Sequence, residues 1–133
     1  MMKKILTLIT FAFFGLNSTQ AQDCDLPEIY SGNTGANMTI MLTPALMNSL
    51  SATDANAYLV ALSSDGTVIG SETVAGVSQT SLAVWGDDAS TPDVDGALAS
   101  ESISFQLVNG SDLYDVELPS AVLYTTNGLA VQA

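Results

Sequence analysis

Four aspartates crowd into one short stretch: Asp87, Asp88, Asp93 and Asp95 fall between Gly86 and Gly96, directly after Trp85, the only tryptophan of the chain. Hard carboxylate oxygens are the ligands calcium takes, and Asp93-Val94-Asp95-Gly96 ends in the kind of sharp turn that brings alternate carboxylates and a backbone carbonyl onto one ion. Calcium is therefore the one cofactor this stretch suggests. The pattern is not an EF-hand loop. With Asp93, Asp95 and Gly96 at its third, fifth and sixth positions, Thr91 and Ser102 fall on the first and twelfth, and Glu101 lies one residue short of the end. The competing reading is that the aspartates cap a turn, accepting hydrogen bonds from backbone amides and facing solvent. Trp85 shares a strand face with Ser81 and Ala83, two small residues that leave room for an indole to fold over, so it reads as a core or rim anchor. If exposed, it is instead a platform on which a sugar ring stacks, and the one candidate ligand contact.

Most other chemistries are excluded by what is missing. The chain has no histidine, which removes Ser-His-Asp and Cys-His hydrolysis and zinc sites built from Cys and His. Phosphate chemistry lacks both a basic clamp and a Gly-x-x-x-x-Gly-Lys loop. Two carboxylates suffice to hydrolyse a glycoside, but the sequence marks no pair held across a cleft and few aromatics to bind a sugar. The expectation is a protein that is not an enzyme. Cys24 is the single cysteine; it cannot close an internal disulfide, and nothing nearby would activate it as a nucleophile.

Charge and the first residues speak to destination. Lys3 and Lys4, the apolar run Ile5 to Leu16 and the polar Asn17 to Ala21 have the three-part pattern of a secretory signal, with cleavage expected after Ala21. A run this short does not span a bilayer, which takes about 20 residues. The chain is thus expected to be secreted, extracellular or at the cell surface, with no membrane insertion once the signal is removed. Both lysines of the chain lie in that segment, so the remainder carries 14 carboxylates and no Lys, Arg or His, and its formal charge moves from −12 to −14. Such a surface repels nucleic acid and anionic lipid headgroups.

The elements that must position Trp85 and the aspartates are short strands. Residues 22–36 read as an extended arm. Asn37 to Leu42 is a strand, and Thr43-Pro44 starts one helical turn over Ala45 to Leu50. Ala57 to Leu62 is apolar on both faces, as in a central strand covered on both sides. Ser64-Asp65-Gly66-Thr67 marks a hairpin into a return strand from Val68, and Ser81 to Trp85 leads into the acidic loop. Ser102 to Leu107 alternates strictly; Asn109-Gly110-Ser111 is a second hairpin turn. Leu113 to Leu118 alternates again, with Tyr114, Val116 and Leu118 inward. Val122 to Tyr124 and Gly128 to Val131 are the last strands, around a third turn at Asn127-Gly128. Seven to eight short strands with such turns predict an all-β fold, a single antiparallel β-sandwich of Ig-like or jelly-roll-like type over residues 37–133.

Asn33 to Ile40, Val84 to Gly96, Glu101 to Phe105 and Tyr124 to Gly128 together resemble a small β-sandwich module that recurs in secreted and surface, adhesin-like proteins of Bacteroidetes. The resemblance spans residues 33–131, and the tryptophan followed by Gly-Asp-Asp and then Asp-Gly is its most specific part. Residues 55–70 depart from it, lacking a Gly-Asp-Glu-Ile-Gly stretch and a following cysteine. The resemblance implies a sandwich fold and no particular activity. Two functional classes follow: a secreted, non-catalytic binding or adhesion module whose loops contact an extracellular glycan or surface protein, or a self-associating structural subunit of an extracellular matrix or filament.

Overall fold

The computed structural model of the chain describes residues 25–133. The signal-peptide reading of residues 1–21, and Cys24, lie outside the described residues. Eight strands and one short helix follow in the order β1 (Asn37–Leu42), α1 (Pro44–Ser49), β2 (Tyr58–Leu62), β3 (Val68–Thr73), β4 (Thr80–Trp85), β5 (Ser102–Asn109), β6 (Asp112–Val116), β7 (Val122–Leu123) and β8 (Leu129–Gln132). They form two sheets, one of three strands in the order β4-β1-β8 and one of five, in which β3-β2-β5-β6 is extended by β7 on β5. The fold is an all-β sandwich, as the strand spacing predicts.

Alternation decides which residues meet between the sheets. In β1, Met38, Ile40 and Leu42 are buried, and the first two stand opposite Val84 and Leu82 of β4, so the small sheet presents one apolar face. Ile103, Phe105 and Leu107 of β5, Leu59 and Ala61 of β2 and Ile69 of β3 complete the same core. Leu46, Met47 and Leu50 cover one end of it from α1 and the residue that caps it. Proline at the first turn of α1 removes an amide that has no partner in a helix start, which suits so short a helix. Where β3 passes β4, a Cβ on Gly70 would collide with the Ala83 carbonyl. Glycine there lets the edges of the two sheets close together.

Two turns have the backbone their sequences require. Gly110 opens the two-residue turn between β5 and β6 with φ 68°, the arrangement in which glycine takes the first central position. Between β2 and β3, Ser63 and Thr67 bracket Ser64-Asp65-Gly66, the Ser63 N–H donates to Thr67 O at 3.0 Å, and Gly66 has φ 85°. The Asn127-Gly128 turn differs. It joins β7 to β8, which belong to opposite sheets, and its Asn127 N–H donates across to Asn37 O at 2.8 Å. In consequence β8 runs parallel to β1, a departure from a purely antiparallel sandwich that follows from entering the small sheet from across the core.

β2 is covered on both sides, as its composition predicts: Leu59, Val60 and Ala61 are all fully buried. Leu59 and Ala61 face the core, whereas Val60 and Val108 stand outside the core cluster, and alternation turns Val60 to the opposite face. Here the arm supplies the cover. Tyr58 Oη donates to Pro27 O at 2.6 Å and Tyr30 N–H donates to Ser71 Oγ at 2.8 Å, and Ser71 is the cross-strand partner of Val60. The segment 27–30 therefore lies across Val60 and acts as part of the domain, not as a free leader to it.

One inward-facing residue stays uncovered. Val116 and Leu118 pack against the core as predicted, but Tyr114, on the same face, remains 49% exposed. The facing sheet has three strands against five, so the inner face of that edge strand is covered at Val116 and left open at Tyr114. The arm gives a direct test: Val60→Ala should cost about 2 kcal/mol in urea unfolding, as expected for a fully buried valine. A cost below about 0.5 kcal/mol would mean that the arm does not seal this face.

Candidate functional site

Residues 86–96 form a compact loop whose ends meet. Ala97 N–H donates to Trp85 O and Asp87 N–H donates to Ala97 O, both at 2.9 Å, so Gly86 and Ala97 pair as a parallel bridge. Both glycines are there for contact. A Cβ on Gly96 would overlap the Gly86 carbonyl, and a Cβ on Gly86 would strike the hydroxyl of Tyr124, whose ring is buried beneath the loop. The arm also holds this base: Gly86 N–H donates to Ala36 O at 2.9 Å, and Thr34 Oγ1 donates to Gly86 O.

Within the loop the carboxylates are turned on the backbone. Asp95 N–H donates to Asp87 Oδ1 and Asp88 N–H donates to Asp95 Oδ1, each at 3.0 Å, a reciprocal clasp between the two ends. Asp88 in turn accepts from Ser90 N–H at 2.9 Å and Ser90 Oγ at 2.6 Å. These bonds, the hydroxyl first, hold the Asp88 carboxyl below its ordinary range. Thr91 Oγ1 donates to Asp88 O at 2.8 Å and to Asp93 O at 3.0 Å, tying the tip. Thus Asp87, Asp88 and Asp95 are brought together as acceptors for the loop's own donors, while Asp93 contributes its carbonyl and leaves its side chain exposed. Among the described residues no three His, Cys, Asp or Glu side chains stand as a group that could hold a metal ion. Calcium at Asp87, Asp88, Asp93 and Asp95 would have to use the carboxylate oxygens that the clasp leaves free, since the clasp takes only Oδ1 of Asp87, Asp88 and Asp95.

Trp85 lies on the face opposite Leu82 and Val84, with Ser81 and Ala83, so it is on the outside of the small sheet and only half-buried. It is a rim residue, partly covered and partly available.

Glu101 completes the site from outside the loop. Its carboxylate accepts from Ser64 N–H and Leu98 N–H, each at 2.7 Å, and from the Ser64 hydroxyl, pinning the β2–β3 hairpin tip to the segment after the loop. The Ser64 hydroxyl, then the Leu98 and Ser64 amides, hold its carboxyl below the ordinary 4.5 against the opposing effects of desolvation and the Asp65 charge. Asp65 is likewise held low, first by the Ser63 hydroxyl and then by Thr67. Tyr30 of the arm is pushed up by burial and by the charge of Asp95. The hairpin, loop and Glu101 enclose a cleft of about 250 Å³ lined by Ser63, Asp65, Thr67, Val94, Leu98 and Glu101, among others. Glu101 and Ser64 are 37 residues apart, and no local pattern links them. The only sequence hint is a lone acidic residue at the start of an alternating strand.

This end of the sandwich presents fixed carboxylates beside exposed Val94 and Leu98 (61% and 50%). It offers hydrogen-bond acceptors and small apolar contacts. Among the described residues no helix is long and apolar enough to cross a membrane. Compared with protein-family models, curated proteins and solved structures, the chain matches none.

Two outcomes follow. The stability that Glu101 contributes over Glu101→Gln should be full above pH 4.5 and should shrink as the pH falls through its lowered folded-state value, read from urea midpoints across that range. Equal midpoints at every pH would show that the clasp carries no stability. The melting temperature should respond alike to sodium and calcium at matched ionic strength, since no three of the loop's carboxylates stand as a group that could hold an ion. A calcium-specific rise that Asp93→Asn with Asp95→Asn removes would show that an ion takes over the loop.

Proposed function

We propose that this chain is a secreted, non-catalytic binding or adhesion module whose Gly86–Gly96 end contacts an extracellular glycan or a surface protein. The observation that carries this reading is the pre-ordered loop end beside the cleft. Backbone and hydroxyl donors fix the acceptors of Asp87, Asp88, Asp95 and Glu101 in place, while Val94, Leu98 and part of Trp85 stay open to a ligand. Loops ordered before binding lose less entropy on contact. Sugar hydroxyls suit such acceptors, and an indole edge or small apolar side chains suit the faces of a sugar ring. The resemblance to the Bacteroidetes surface module and the export pattern of residues 1–21 agree with this reading.

A second reading, a structural subunit of a matrix or filament, draws on a different surface. The outer face of the small sheet carries Leu129 and Val131 at 65% and 55% exposure, beside half-buried Met41 and Trp85 and no carboxylate. Light scattering at rising concentration separates the two, since polymers support the subunit reading and a constant monomer mass supports the binding module.

Retention of the chain on an array of immobilised polysaccharides tests the first reading. Val94→Ser with Leu98→Ser should lower retention about tenfold at an unchanged melting temperature. Retention unaffected by that pair and by Trp85→Ala would remove this end as the contact surface.

A further inference from the structure

A second surface lies away from the acidic loop, at the uncovered edge of the larger sheet. β6 is the end of the order β3-β2-β5-β6. Its closing pair Asn109 and Asp112 is followed by Val108–Leu113, Leu107–Tyr114, Gln106–Asp115 and Phe105–Val116. Alternation across a two-residue hairpin turns the backbone groups of Asp112, Tyr114 and Val116 toward β5 and those of Leu113 and Asp115 away from it. The free edge thus offers backbone N–H and C=O groups at Leu113 and Asp115.

Beneath that edge the mismatch between the sheets leaves a groove of about 410 Å³. Its apolar wall is Leu46 and Leu50 at α1, Leu107 of β5 and Val116 of β6, and Tyr114, half exposed, stands in it. Asp115 and Glu117 border the same groove, and Asp112, Asp115 and Glu117 are all exposed. No basic side chain exists in residues 25–133 to neutralise them.

We infer that the free edge of β6 and the groove beneath it take up an extended segment of another protein in which apolar and basic side chains alternate. Backbone pairing at Leu113 and Asp115 supplies the register. With period two, one set of side chains enters the groove beside Tyr114 and the other meets Asp115 and Glu117. A second copy of this chain is the wrong occupant. Pairing β6 with itself gathers two sets of Asp112, Asp115 and Glu117 along one seam, and like charges set close across strands are destabilising. Carboxylates along an edge keep identical chains apart, and the same charges draw in a basic strand.

The test uses the full chain and a fluorescent peptide of four Val-Lys repeats with blocked ends, read by anisotropy. Three controls accompany it: the same residues in two blocks, an oligolysine of equal length, and four Val-Glu repeats. The alternating basic peptide should bind about tenfold more tightly than either basic control, and the acidic one should not bind. It should also slow hydrogen exchange at the Leu113 and Asp115 amides. Leu113→Pro removes an outward N–H without breaking a bond to β5, which edge strands tolerate, and should weaken binding about tenfold. Asp115→Asn with Glu117→Gln should weaken it by a similar factor and flatten its salt dependence. Should Leu113→Pro fail to fold, amide exchange in the parent chain decides alone. Equal binding of the block peptide or oligolysine would reduce the effect to bulk charge attraction and overturn the proposal. So would absence of binding, or protection of the same amides by self-association without peptide.

Discussion

Every ionised side chain in residues 25–133 is negative, so within these residues no carboxylate is neutralised by a side chain of opposite sign, and each one that is held there is held by neutral donors. This constraint shapes the whole surface. Asp87 and Asp95 clasp each other's ends through backbone amides, Asp88 takes Ser90, and Glu101 takes Ser64 and Leu98. Elsewhere Asp54 accepts from Asn56 N–H, and Asp115 accepts from Gln106 Nε2. Hydrogen bonds to a charged acceptor are stronger than those between neutral groups, so these loops are ordered by their charges despite the mutual repulsion. The frequency of Ser, Thr and Asn beside the acidic residues is the sequence counterpart of this arrangement.

The opposing force is burial, and it is distributed unevenly. The core between the sheets is continuous from Met38 to Tyr124, but a three-stranded sheet cannot cover one of five strands. At the β2–β3 side the arm covers the larger sheet's outer face over Val60. At the opposite edge the smaller sheet leaves Tyr114 of β6 open, and a groove results. The two ends of interest thus have different origins. The loop cleft is built by hydrogen bonds to carboxylates, and the β6 groove by a difference in sheet width.

Much of the fold was legible because alternation is a local property. Ile103, Phe105 and Leu107 read as inward-facing from their spacing, and they are buried. Gly110 and Gly66 read as turn residues, and each has the positive φ its turn needs. The unbroken apolar run of β2 read as a strand covered twice, though not that the second cover would be the arm. Tyr114 read as inward, and it does face that way. Whether a facing residue is also covered depends on the width of the other sheet, which no alternation records.

The site divides along the same line. The sequence by itself determined that residues 86–96 would be a loop dense in carboxylates, that this loop would follow a strand ending in Trp85, and that no histidine would join it, because these are matters of composition and short-range spacing. Only the tertiary structure decided which way the carboxylates turn, that Glu101 reaches Ser64 across 37 residues, that Tyr124 lies under Gly86, and that Trp85 sits on the outer face. The turn of the carboxylates depends on how the loop closes on itself, and the others on how two sheets of unequal width are set against each other. That relation is fixed by long-range packing, and the pattern of any one strand does not carry it.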